Sequence, residues 1–150
     1  MQQRESAVFA KLRERILRPT DRFERVENGL AVGMPDVNYC IAGQEGWLEI
    51  KAPKEPARAG TALFGAGNHQ VSIDQINWMH RQHLAGGFSF LFIYTGKRML
   101  LIQGARVASL ERRINELPLS EMLQQAVWRC EVPVREVELW MDLRERLARP

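Results

Sequence analysis

The sequence predicts an α/β protein in which helices flank a mixed β-sheet. Residues 36–51 read as two short strands joined by a turn. Residues 88–94 are nearly all apolar, as expected of a strand buried on both faces. Residues 72–85 have helical spacing between these two regions, and a helix in this position is typical of the crossover between parallel strands.

Length and composition are those of an ordinary globular domain. The 150 residues are enough for one domain with a buried core, which we place at about residues 20–104, followed by a helical extension over about residues 105–150. Cys40 and Cys130 form no CxxC pair, which is typical of reduced thiols in a cytoplasmic protein. We find no signal peptide, and no apolar run is long enough to cross a bilayer.

Arginine dominates the basic residues. The net charge is only +3, but 17 of the 21 basic residues are arginine. The planar guanidinium suits phosphate recognition, although the codon usage of a GC-rich genome would give the same composition.

The chain begins with a predicted helix over residues 4–18 that ends before Pro19. Val8, Leu12 and Ile16 recur every four residues and give it an apolar face. The other face is basic, which fits either a solvated surface or a flank that contacts phosphates. A predicted strand over residues 23–28 follows and contains Glu27.

Side-chain parity in the predicted hairpin brings acids and a lysine together. Alternation along the second strand places Trp47, Glu49 and Lys51 on one face. In the expected register Asp36, at the start of the first strand, lies close to Glu49 and Lys51. Two converging carboxylates repel each other unless a cation lies between them, and Mg²⁺ prefers one or two carboxylates with waters and a phosphate.

Residues 52–70 form a long segment without periodicity, which is usually functional or mobile. Lys54, Arg58 and His69 could bind a nucleic-acid backbone. Leu63 and Phe64 could pack on a partner subunit or wedge into a DNA junction. The alternative is a disordered surface loop.

The best-defined helix begins at Ser72, which forms an S-x-x-Q capping box with Gln75. The capping box gives Gln75 a structural role, and Ser72 is a further candidate for nucleic-acid contact. His80 and His83 lie on the same helix, but two histidines without further ligands do not predict a zinc site.

The rest of the chain completes the predicted sheet and covers it. Residues 88–94 turn through residues 95–98 into an antiparallel partner over residues 99–103. Helices are predicted over residues 105–117 and 119–129, and a last helix carries Trp140 and Leu143. These helices could cover the sheet or form a dimer contact.

Pro35-Asp36 followed by Glu49-x-Lys51 resembles the signature of the PD-(D/E)xK nuclease superfamily. The preceding Glu27 and the Ser72-to-Gln75 helix start make the chain more similar to the VRR-NUC branch, which occurs in phage and prophage proteins and is related to Holliday-junction resolvases. The resemblance covers residues 23–103 and implies a restriction-endonuclease-like fold of order αβββαββ.

The resemblance also implies a site and an activity. The expected metal ligands are Asp36, Glu49 and the carbonyl of Ile50, with Glu27 as a further acid. Lys51 would orient the attacking water or neutralise developing charge, and Gln75 would position that water or a phosphate. The implied enzyme is a Mg²⁺-dependent DNA endonuclease, with Mn²⁺ able to substitute. It would act as a homodimer, on branched or junction DNA, in the cytoplasm of a bacterial or phage-infected cell.

Two alternatives remain open from the sequence. A protein of the same fold could bind nucleic acid or a host protein without turnover. A general α/β scaffold could carry the motif by chance, and such a protein would have no affinity for a metal.

Overall fold

The computed structural model describes residues 3–27, 31–65 and 69–150. Asn28, the end of the first predicted strand, and residues 66–68 of the long loop lie outside the described residues. The helices and strands are α1 (Gln3–Ile16), β1 (Arg22–Arg25), β2 (Val37–Ile41), β3 (Gln44–Lys51), α2 (Ile73–Leu84), β4 (Ser89–Tyr94), β5 (Arg98–Gln103), α3 (Gly104–Leu110), a 3-10 helix (Glu111–Asn115), α4 (Leu119–Gln125), β6 (Trp128–Glu131) and α5 (Val137–Ala148).

The six strands form one sheet in the order β1-β2-β3-β4-β5-β6. The β3–β4 pair is parallel, and the other four pairs are antiparallel. Helix α2 connects the parallel pair, because parallel neighbours need a crossover. The predicted α/β fold with a mixed sheet and a helical crossover is therefore confirmed.

Each face of the sheet has its own apolar core. Leu48 and Ile50 of β3 belong to the core that α1 and α5 cover. Leu91 and Ile93 of β4 point to the opposite core, which α2, α3, the 3-10 helix and α4 cover. The paired strands β3 and β4 are thus buried between two helical layers, which explains the continuous apolar run of β4.

The chain after residue 104 departs from its predicted elements. The predicted helix over residues 119–129 is wrong in its last part, because α4 ends at Gln125 and residues Trp128–Glu131 form β6 on the edge of the sheet. Trp128 is buried and stacks on Phe92 of β4, with ring centroids 6.4 Å apart. Packing of this ring against the sheet outweighs the helical pattern. The predicted helix over residues 105–117 is also divided, since α3 ends at Leu110 and a 3-10 turn follows.

The long loop after β3 is fastened to the domain. Leu63 and Phe64 are 3% and 1% exposed and belong to the core beneath α2. The Leu63 N–H donates to the Leu117 carbonyl at 3.1 Å, and the Leu119 N–H donates to the Thr61 carbonyl at 3.0 Å. The expectation that Leu63 and Phe64 contact a partner or a DNA junction is therefore wrong, because their burial already serves this domain.

A buried arginine joins the last helix to the end of α1 and to the segment that follows it. Arg144 of α5 binds the carboxylate of Asp21 and donates to the Ile16 carbonyl at 2.9 Å. The Arg144 hydrogen bond lowers the pKa of Asp21 to about 2. Since α5 also packs on α1 and covers one face of the sheet, the C-terminal segment is part of the same core.

None of the helices within the described ranges combines the length and the apolar character that crossing a bilayer requires.

Candidate active site

The β2–β3 hairpin brings Asp36 and Glu49 together. Val37 pairs with Leu48, so the next positions outward on the two chains are Asp36 and Glu49. The Asp36 N–H donates to Glu49 Oε2 at 3.2 Å, and the Ile50 N–H donates to Asp36 Oδ2 at 3.3 Å. The convergence that strand parity predicts is present, although Asp36 lies just before β2 and not within it.

Lys51 and Gln75 approach the same carboxylate from two elements. Lys51 Nζ lies 3.3 Å from Glu49 Oε1. Gln75 Nε2, in the first turn of α2, donates to Glu49 Oε1 at 2.6 Å. The four residues proposed as catalytic therefore form one connected cluster at the end of the hairpin.

The Gln75 amide serves the helix cap and the cluster at once. Its Oε1 accepts from the Ser72 N–H at 3.0 Å, while the Ser72 hydroxyl accepts from the Gln75 N–H at 3.1 Å. Its Nε2 is then free to donate to Glu49. Only this orientation of the amide satisfies both partners. The capping box thus fixes the side chain that reaches the acids.

Asn115 holds the start of α2 in place. Its Oδ1 accepts from the Val71 N–H at 2.7 Å, and its Nδ2 donates to the Val71 carbonyl at 2.8 Å. The residue before the capping box is therefore tied to the 3-10 helix, which covers the same core as α2.

The acids of the cluster are held in a low-dielectric setting. Glu49 is 2% exposed and Lys51 is 8% exposed. Burial is the main cause that raises the pKa of Glu49 to about 8, and the neighbouring Asp36 charge acts in the same direction, while Lys51 opposes it. Burial likewise raises the pKa of Asp36. Two carboxyl groups that resist ionisation in one place favour a cation between them.

Glu5 is a further acid near the cluster that was not predicted from the sequence. This residue of α1 is 6% exposed, and its negative charge contributes to the raised pKa of Asp36. It lies three residues before Val8 on the apolar stripe of α1. A carboxylate on an apolar stripe was the signal that could have identified it.

Glu27 lies in a different environment. Its side chain is 88% exposed, and it forms an ion pair with Arg25 at 3.8 Å. The acid outside the hairpin that acts most strongly on Asp36 is Glu5. The role predicted for Glu27 at the metal stays a prediction.

The predicted nucleic-acid contacts differ in their exposure and in their existing hydrogen bonds. Lys54 and Arg58 are exposed on the loop after β3, and His69 is half-buried before α2. The Ser72 hydroxyl is engaged in the helix cap. Lys54 and Arg58 are therefore available to an external phosphate, whereas Ser72 has a structural task in the cap.

The oxygen atoms of the cluster suit a hard divalent cation whose remaining ligands are waters and a phosphate. Among residues 3–27, 31–65 and 69–150 no group of three or more His, Cys, Asp or Glu side chains could hold a metal ion. Mg²⁺ needs fewer protein ligands, since it keeps several waters and binds through one or two carboxylates and a phosphate. Asp36 and Glu49 are the two carboxylates that could hold such an ion. The N–H and C=O of a strand residue point to the same side of the strand. The Ile50 N–H donates to Asp36, so the Ile50 carbonyl also lies on the side of β3 that faces Asp36.

Gly33 allows the segment before Asp36 to lie against α2, and its replacement is expected to destabilise the domain. Gly33 has a φ of +82°, and a Cβ there would lie 2.2 Å from the Asp74 carbonyl oxygen. Gly43 has the same φ with nothing within 4 Å of a Cβ. Gly33→Ala is expected to cost about 1–3 kcal/mol more than Gly43→Ala in urea unfolding, because only Gly33 meets a neighbour. Equal costs would show that the contact with α2 is dispensable.

Comparison of the sequence with models of known protein families and with curated proteins finds no match.

Proposed function

We propose that the chain is a metal-dependent nuclease that hydrolyses DNA phosphodiester bonds, as its resemblance to the PD-(D/E)xK nucleases and their VRR-NUC branch implies. The observation that carries the proposal is the convergence of Asp36, Glu49 and Lys51 on one point, with Glu49 Oε1 3.3 Å from Lys51 Nζ. Two acids and an ammonium group in this arrangement can accommodate a cation and an anionic substrate together.

Each side chain has a task that follows from its position. Asp36 and Glu49, with the Ile50 carbonyl, would hold Mg²⁺ or Mn²⁺. A bound divalent cation supplies Lewis acidity and lowers the pKa of a coordinated water. The Lys51 ammonium, buried beside Glu49, would stabilise the negative charge that develops on the phosphate. The Gln75 amide, held by the capping box, would orient the water or a phosphate oxygen.

The test is cleavage of labelled DNA by the purified protein with Mg²⁺, Mn²⁺ or excess chelator. We expect cutting with either metal and none with chelator. Asp36→Asn and Glu49→Gln are expected to lose cutting together with Mn²⁺ affinity in titration calorimetry. Glu45→Gln removes an exposed acid of the same hairpin and serves as the matched control. Cutting that persists in Asp36→Asn and Glu49→Gln would refute the assignment.

Junction or branched DNA is the proposed substrate, and a homodimer is the proposed assembly. Resolution of a junction needs two cuts, which a symmetric dimer with two sites can supply. Comparison of junction, flap and linear substrates, with the mass in solution, tests this part separately. A monomer that prefers flaps or single strands would favour a nuclease of repair or degradation.

The competing function is binding without turnover on the same fold. Tight DNA binding without cutting across metals and substrates would favour it. The intact Asp36, Glu49 and Lys51 cluster supports the catalytic proposal over this one, because a binder needs no buried pair of acids.

A further inference from the structure

A recess lies at the end of β4 and is lined from α1. Its volume is about 350 Å³. This size lies within the range of pockets that take small organic molecules. The lining residues are Arg4, Ala7, Val8, Lys11, Tyr94 and Met99.

Arg4 and Tyr94 form a fixed stacking surface in this recess. The Arg4 guanidinium lies over the Tyr94 ring, 5.7 Å from its centroid. Arg4 Nη1 also donates to the Ala52 carbonyl at 3.0 Å, which holds the guanidinium in place. A planar guanidinium above an aromatic ring is a surface on which another flat ring stacks.

The recess adjoins the carboxylate cluster through the same two strands. Lys51 of β3 pairs with Ile93 of β4. Ala52, which Arg4 binds, directly follows Lys51, and Tyr94 directly follows Ile93. Tyr94 packs against the core beneath α1, whereas Ile93 belongs to the core beneath α2. The recess and the cluster thus lie on opposite faces of the sheet, at the end that the parallel strands β3 and β4 share.

Helix α1 links the recess to the cluster. Arg4 of this helix donates to the carbonyl of Ala52, the residue that follows Lys51 of the cluster. A strand of nucleic acid bound at the cluster would therefore reach the recess around the end that β3 and β4 share.

The recess combines apolar side chains with two basic residues, which suits a nucleotide with its flat base and its phosphate. Ala7, Val8 and Met99 give apolar walls next to the ring, and Lys11 adds a second cation beside Arg4. A nucleobase has flat apolar faces and is attached to anionic phosphates. We propose that the recess holds an unpaired nucleobase of the strand whose phosphodiester is presented to Asp36 and Glu49. This inference rests on the proposed nuclease function.

The first measurement is the binding of a labelled single-stranded oligothymidylate to the protein in chelator, by fluorescence anisotropy. Tyr94→Leu is expected to weaken binding about 5- to 100-fold, because base stacking is lost. Phe88→Leu, just before the start of β4, is the matched control and is expected to leave the affinity unchanged, since Phe88 is 37% exposed and outside the recess. Lys11→Gln is expected to lower the slope of the logarithm of the DNA-binding constant against the logarithm of salt concentration by about 1, the value for one lost phosphate contact. Equal affinities of Tyr94→Leu and the wild type would overturn the proposal.

A second measurement does not require a variant to fold. An oligonucleotide that carries 5-bromodeoxyuridine is photocrosslinked to the wild-type protein, and the modified peptide is identified by mass spectrometry. Crosslinks at Tyr94 or Met99 support the proposal, and crosslinks confined to other surfaces overturn it. If DNA binding depends on Tyr94 but no metal supports cleavage, the base-binding role of the recess is supported and the nuclease function is refuted. If Tyr94→Leu cleaves DNA as the wild type does and the crosslinks lie elsewhere, the nuclease function is supported and the role of the recess is refuted.

Discussion

Replacement of Lys51 by methionine is expected to reduce DNA cleavage about 10²- to 10³-fold, the usual cost of removing one group that stabilises transition-state charge. The Lys51 side chain is 10% exposed, so methionine retains most of its buried apolar stem. Binding of Mn²⁺ is expected to persist, because Asp36 and Glu49 remain and a nearby positive charge has been removed. Single-turnover cleavage and calorimetry measure the two effects separately.

Lys97→Met is the matched control for this variant. Lys97 is exposed in the turn between β4 and β5, so the substitution removes the same charge without touching the cluster. We expect its cleavage rate to stay within a few-fold of the wild type. Wild-type cleavage by Lys51→Met would remove Lys51 from the mechanism. Loss of Mn²⁺ binding together with cleavage would instead assign Lys51 to the construction of the site.

Glu49 is expected to make the metal-free protein less stable as the pH rises. Its usual pKa is 4.5, and burial in the folded protein raises the pKa to about 8. Between these two values the folded state keeps a proton that the unfolded state has released. The stabilisation is therefore fully present below pH 4.5 and is lost as the pH rises through 8, at up to about 1.4 kcal/mol per pH unit.

Urea unfolding of the wild type and Glu49→Gln in chelator, from pH 5 to pH 9, isolates this contribution. Glutamine cannot ionise, so the variant is expected to lose less stability than the wild type as the pH rises. Glu45→Gln removes a carboxylate from the same strand at an exposed position and controls for the general change in charge. Addition of Mg²⁺ at pH 8 is expected to stabilise the wild type more than Glu49→Gln. Parallel pH profiles of the wild type and Glu49→Gln would show that burial does not hold the Glu49 proton.

The β2–β3 hairpin could be predicted from residues that are close together in the sequence. Alternation along β3 places Glu49 and Lys51 on one face whatever the rest of the chain does, and the turn that follows Ile41 sets the register opposite β2. The capping box at Ser72 is equally local, because it spans four residues. These features were predictable because they depend on neighbours in the sequence.

The missed features depend on distant partners. Trp128 lies in a strand although the sequence around it has helical spacing, because β6 pairs with β5 and the Trp128 ring stacks on Phe92. The sequence around Leu63 and Phe64 predicts an exposed loop, whereas in the structure both side chains are buried in the core beneath α2. Glu5 joins the neighbourhood of Asp36 only because α1 packs across the sheet.

The mixed sheet, the crossover helix and the approach of Asp36 to Glu49 and Lys51 could be predicted from the amino-acid sequence, since strand period, helix capping and turn chemistry are local. The depth at which Glu49 is buried, its hydrogen bond with Gln75 and the effect of Glu5 on Asp36 became known from the three-dimensional structure. Burial and the approach of separate elements result from packing of the whole chain, and no local pattern encodes them.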